Sequence, residues 1–260
     1  METTQQNPLL AKLKIPGRTF QLPSRGALYH NGELSSYEGE VHVHPMSALT
    51  EINLKNPDLL FNGKAIEAVV AECIPEIKKP MDLFGRDIDA LMFFLRVVTY
   101  GPDFEINVKH TCDEAKDHSY SVNIEQMAMN MKPLDVTMTE HFVVTLPNGQ
   151  VVKLRPVTIS HMIKLFQMNT GKKELTADDV QANIVFNLVS LIENIDGETD
   201  KNNIEGWIRA ATTVQLGRVT KAIENMNDWG PDTDTKIICR DCGTEFTVEL
   251  PLNPVSFFTE

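Results

Sequence analysis

Apolar and polar positions along this 260-residue chain alternate in some stretches and recur at helical spacing in others, and the switches mark its elements. Glu40-Val41-His42-Val43-His44 alternates with period two and stops at Pro45, which predicts a strand. Ser47 follows where a helix N-cap is wanted, with Thr50 and Glu51 in the first turn. Asn62-Gly63 separates that helix from a second, Lys64 to Ile74, closed by Pro75. Asp82 to Gly85 reads as a turn, and from Asp87 to Val98 the apolar residues cover more than half the helical circumference, predicting a well-buried helix. Further on, the runs 142–146 and 151–154 flank Pro147-Asn148-Gly149-Gln150, which predicts a β-hairpin. Helices are expected at about 159–169, 178–195 and 203–227, the last of them broken. Val180, Ile184, Leu188, Leu191 and Ile195 recur at three- and four-residue steps in the middle one, as do Leu216, Val219, Ile223 and Met226 in the last.

The order of these elements repeats. Each half reads strand, Pro, capped helix, further helices, an aromatic-Gly-Pro-Asp segment, a metal-type loop and a strand. The segments are Tyr100-Gly101-Pro102-Asp103 and Trp229-Gly230-Pro231-Asp232, and ten residues after each aromatic stand His110 and Cys239. Cys239-Arg240-Asp241-Cys242-Gly243, between a β-prone pair and an alternating strand, has the form of a zinc knuckle, in which a tight turn points two thiolates inward. Two thiolates do not close a tetrahedral site. The other half is expected from His110-Thr111-Cys112, giving His110, Cys112, Cys239 and Cys242 as ligands of one structural zinc, with His118 as the rival fourth. A turn without metal and a redox pair are the alternatives, the second disfavoured because no helix is predicted to start at the cysteines. The expected fold is α+β, two pseudo-repeated lobes sharing one zinc: an arm over 1–17, a first lobe over 18–130, a second over 131–250 and a tail over 251–260.

Charge and composition narrow the function. A formal charge of −12 with no Lys/Arg cluster opposes a nucleic-acid or anionic-membrane surface. No apolar run reaches about 18 residues and no signal-type segment opens the chain, so neither a membrane span nor secretion is expected. The fourth cysteine, Cys73, lies in the apolar run 68–74 and reads as a buried small hydrophobe. His42 and His44 share one strand face without a third ligand nearby, and Asp232, Asp234, Glu38 and Glu40 read as loop and strand-edge charges. Ser24 has no nucleophile elbow around it, and no phosphate-binding glycine loop or His-Glu-x-x-His occurs. No catalytic constellation and no small-molecule substrate are expected.

Leu22-Pro23-Ser24-Arg25-Gly26 followed by Tyr29, the strand into Pro45-Met46-Ser47, the helix into Leu95-Arg96-Val97-Val98-Thr99-Tyr100-Gly101 and the cysteine motifs together resemble the baseplate hub and hub-assembly proteins of T-even-type contractile-tail phages. The resemblance runs from about residue 18 to the end. It implies a non-enzymatic protein that builds or occupies the tail hub through contacts with other hub proteins, in the virion baseplate or in the host cytoplasm during assembly, and it implies no catalytic residues. Leu252, Val255, Phe257 and Phe258 near the C-terminus are a candidate docking surface, with packing onto the chain's own core as the alternative. The competing functions are a zinc-stabilised adaptor unrelated to phage tails and a metal-dependent hydrolase, which needs an open coordination position.

Overall fold

A computed structural model describes residues 16–112, 116–135, 142–252 and 257–258. Residues 1–15 of the expected arm and Val255 of the tail lie outside the described residues. The fold is α+β, with helices between small antiparallel sheets. Strands β1 (Arg18–Gln21) and β2 (Glu40–Val43) pair with Phe20 opposite Val41. Three helices follow: α1 (Ala48–Leu54), α2 (Pro57–Phe61) and α3 (Lys64–Cys73). Ser47 caps α1 by accepting the amide of Thr50. The expected single helix before Asn62 is broken at Asn56-Pro57, because Pro cannot donate in a helix interior and Asn56 instead caps a new start.

Helix α4 (Gly85–Tyr100) is the buried centre of the first half, with Phe93 and Phe94 fully enclosed, and it leads through Gly101-Pro102 into the hairpin β3 (Asp103–Val108) and β4 (His118–Asn123). A short helix, α5 (Ile124–Met129), ends this half. In the second half β5 (Val143–Thr145) pairs with β6 (Val151–Leu154), as the Asn-Gly turn requires, and α6 (Ile159–Asn169) and α7 (Ala177–Leu191) follow.

The helix expected to run to 195 ends at Leu191, and Ile192–Ile195 is β7, a third strand on β6. Leu188, Leu191 and Ile195 suit either a helix or a strand entering the core; the free edge of β6, where Lys153 meets Asn194, decides it. The last expected helix divides at Ala211 into α8 (Lys201–Ala210) and α9 (Thr213–Met226), and Thr212 and Gln215 form a capping box at the new start. Hairpin β8 (Asp234–Ile238) and β9 (Glu245–Glu249) completes the chain.

Two hydrophobic clusters hold these elements. One gathers β1–β4 and α1, α3 and α4, and takes in Ile237, Leu250, Phe257 and Phe258 from the far end of the chain. The other gathers α7, α8, α9 and the three-stranded sheet, with Leu134 and, from the first half, Phe84. Phe257 and Phe258, considered above as a docking surface, are instead core residues: Phe257 is fully buried with its ring 5.6 Å from Phe93 and 5.1 Å from Phe104. Among the described residues no helix is long and apolar enough to cross a membrane.

Candidate metal centre

The centre forms where two hairpin loops face each other. Residues 109–117 connect β3 to β4, and 239–244 connect β8 to β9. The second loop is tight: the Cys239 amide donates to Thr244 O at 2.9 Å and the Gly243 amide to Cys239 O at 2.9 Å. Gly243 supplies the left-handed residue, φ 73°, that this closure needs.

The loops bring His110, Cys112, Cys239 and Cys242 together, with one ligand atom of each within 4.8 Å of all the others. Cys112 Sγ lies 3.9 Å from Cys239 Sγ, and His110 Nδ1 lies 3.4 Å from Cys242 Sγ. Zinc in a tetrahedron of thiolate and imidazole sets sulfur–sulfur edges of about 3.8 Å and sulfur–nitrogen edges of about 3.6 Å. The donor set and both measured edges therefore fit one tetrahedral ion. The sulfurs are nearly twice a disulfide bond apart, and all four cysteines are free.

The surroundings orient the ligands. The His110 ring packs on Phe246, centroids 4.5 Å apart, which turns Nδ1 toward Cys242. Asp241, between the two cysteines, accepts from the Lys116 amide at 3.1 Å and from His118 Nε2 at 2.9 Å. Those two bonds, the amide first, hold its carboxyl below the usual range. Tyr120 OH accepts the Arg240 amide at 3.2 Å, and the Arg240 guanidinium lies 5.1 Å over the Tyr120 ring. The two loops are thus tied by side chains on both sides of the cysteines.

The thiols differ. Hydrogen bonds from the Thr244 hydroxyl and amide bring Cys242 down to about 6, so it is a thiolate at neutral pH. Desolvation, then the neighbouring thiols, push Cys112 up to about 11. An arriving cation meets one ready thiolate and displaces protons from the rest, so affinity rises with pH.

Of the sequence candidates, the fold assembles His110, Cys112, Cys239 and Cys242. His118 stands outside the cluster as the partner of Asp241, and Cys73 is enclosed in the first core, its thiol pushed up to about 12 by burial. Asp241 and Tyr120 contribute as well, without a sequence signal that marks them. An Asp inside Cys-x-x-Cys carries no signal of its own, because its partners lie more than 100 residues away. The cysteines stand in a β-hairpin loop, with β9 and not a helix beginning after them.

The other distinctive segments turn out to shape the core. Leu22 and Ser24 are fully buried; the Ser24 amide donates to Asp87 Oδ1 at 3.0 Å and Tyr29 OH to Asp87 Oδ2 at 2.7 Å. Burial pushes the Asp87 carboxyl up to about 6 against these bonds. Arg25 and Gly26 take positive φ, and Gly39 approaches so closely that a Cβ there would stand 2.6 Å from the Gly26 amide nitrogen. Arg96 stacks 4.3 Å over Tyr100, and Tyr100 OH donates to Phe258 O at 3.1 Å.

A family model described as T4 bacteriophage base plate protein matches residues 44–259, which include both loops of the centre. No curated protein and no solved structure matches the chain. With most of its length covered, the chain belongs to that base plate family.

Proposed function

We propose that this chain, as a phage base plate protein, is a non-enzymatic subunit or assembly factor of the baseplate hub, acting through contacts with other hub proteins and stabilised by one zinc. The family match over 44–259 carries the reading. The centre supports it: His110, Cys112, Cys239 and Cys242 supply four protein ligands, which leaves no open position for water or substrate. Zinc bound there would supply a cross-link between loops whose ligands stand 127 to 132 residues apart in the sequence. Cys242 would receive it as the ready thiolate, Phe246 would keep His110 in its ring orientation, and Asp241 would hold the two turns in register.

The halves 18–130 and 131–250 are further proposed to be duplicated units, supported by the shared order strand, Pro, helices, aromatic-Gly-Pro, hairpin. Superposing 40–124 on 150–250 tests this, and the absence of a common strand–helix–hairpin core rejects it. The protein is expected in the tail baseplate and in host cytoplasm during assembly. Phage lacking it should fail to build normal baseplates, and the purified chain should capture hub proteins and carry about one zinc. Normal baseplates in its absence, with no hub protein captured, would reject the functional reading; metal-free protein with an unchanged fold would reject the zinc.

A further inference from the structure

The basic groups of the second half have a different arrangement. Although the chain carries a formal charge of −12, one cavity of about 220 Å³ at the start of α6 is lined by Arg155, Lys164, Lys201 and His161, with no Asp or Glu among its lining residues. We propose that this cavity binds one small oxyanion, a phosphate or a carboxylate group, between the Arg155 guanidinium, the Lys164 ammonium and the first turn of α6.

Four observations carry it. First, Thr158 stands at the N-cap of α6 without making a side-chain capping bond, and the first turn contains no acidic residue. The Ile159 amide donates to Leu83 O at 3.0 Å, but no side chain offsets the positive end of this 11-residue helix, and Thr158, Ser160 and His161 at its start line the cavity.

Second, among the described residues the side chains of Arg155 and Lys164 have neither a hydrogen bond nor an ion pair, whereas Lys153, two residues before Arg155, is paired with Glu193 at 3.1 Å. Glu193, whose charge acts on Lys201, is thus already engaged, and Arg155 also borders a neighbouring cavity that holds Glu33 and Asp82. Third, Lys201 spends its donors on the carbonyls of Ile192 at 2.6 Å and Val189 at 3.1 Å, so it is fixed at the cavity by the end of α7 and adds charge without being free to swing away.

Fourth, His161 is 7 % exposed, its Nε2 meets Asn187 Oδ1 at 2.9 Å, and its Nδ1 has no hydrogen-bond partner among the described residues. Its ring lies flat on Phe186, centroids 4.9 Å apart. Burial, then Lys164 and Arg155, hold the imidazole below its ordinary range, and Arg155 likewise opposes the charge on Lys201. The cavity therefore contains like charges in mutual repulsion beside a ring whose Nδ1 is an unpartnered acceptor; a bound oxyanion relieves the repulsion and, by favouring the protonated imidazole, lets Nδ1 donate. The volume admits one such group with water, and is too small for a nucleotide-sized ligand.

The test uses the full chain in solution. Inorganic phosphate, sulfate and acetate are titrated separately while the amides of 158–161 and the His161 ring are followed by NMR. The expected result is a saturable response centred on these residues. A response to phosphate and sulfate assigns a phosphate-class ligand, and one to acetate alone assigns a carboxylate such as an acidic side chain of another protein. Arg155→Gln with Lys164→Gln, both exposed and without partners, should weaken binding at least tenfold with the melting temperature unchanged, while Lys221→Gln on α9 should leave it as it is. No saturation with any of the three ions, or an unchanged dissociation constant in the double variant, overturns the proposal.

Discussion

The two hairpins that share the candidate centre each follow an aromatic-Gly-Pro-Asp segment but are anchored in different places. Tyr100 sits against the first cluster, stacked by Arg96 and bonded to Phe258. Trp229, at the matching point, is buried in the second cluster with Nε1 donating to Met226 O at 2.8 Å. Yet the hairpin that follows Trp229 sends Ile237 and Leu250 into the first cluster. The second hairpin is thus rooted in one core and packed on the other, which the first hairpin is not. The same order of aromatic-Gly-Pro-Asp segment and hairpin is thus compatible with different packing partners and with different ligand spacing, His-x-Cys in one loop and Cys-x-x-Cys in the other.

Removing the shared centre should have the largest effect. Cys239→Ser should abolish the proposed zinc binding and lower the melting temperature by about 10 °C or more, since zinc held there would contribute folding energy. Metal analysis with calorimetry checks it, and an unchanged metal content would break the comparison at its centre. Phe257→Ala comes next: the ring is fully buried among Phe93, Phe104 and Phe258, and its loss should cost about 3–5 kcal/mol in denaturant unfolding. If that variant is as stable as the parent, the chain's end does not belong to the first core.

A third test separates the cores by pH. Asp87 is fully buried in the first, and its carboxyl is raised to about 6, above the unfolded value, mainly by desolvation. The folded state then holds the proton more tightly, so this group's contribution favours folding at low pH and is lost as pH rises from about 4 to about 6. The slope should amount to about 3 kcal/mol and should flatten in Asp87→Asn. Asp89, raised to about 6 by burial, adds a residual slope of the same sign. Urea melts at pH 4, 5, 6 and 7 measure it, and parallel profiles for parent and variant would remove the group from the account. The smallest effect belongs to the second core, where helix ends are reinforced locally: Thr212→Ala opens the capping box of α9 and should cost about 1 kcal/mol without altering metal content.

Much of this was legible along the chain. Period-two and helical spacing gave β2, α3, α4, α6 and the hairpin β5–β6, and Ser47 marked its helix start. Equal spacing after the two aromatic residues selected His110 over His118, and the folded geometry groups His110 with the three cysteines. Periodicity failed at Ile192–Ile195, because Leu191 and Ile195 face the core in either conformation and only the edge of β6 chooses between them. It failed also for Phe257 and Phe258, whose apolar character was plain but whose cover was not.

The sequence by itself determined which residues are apolar on which face, where the chain must turn, and which cysteines and histidines have the chemistry to hold a metal. Those properties depend on neighbours within a few residues and survive in any fold that keeps the local conformation. Tertiary structure alone decided that β8–β9 lies on the first core, that Asp241 spans to Lys116 and His118, that Asp87 answers Ser24 and Tyr29, and that three cations meet at the start of α6. Each of these joins residues tens to more than a hundred positions apart. A local pattern states that a face must be covered or a charge answered, and only the closed chain supplies the group that does it.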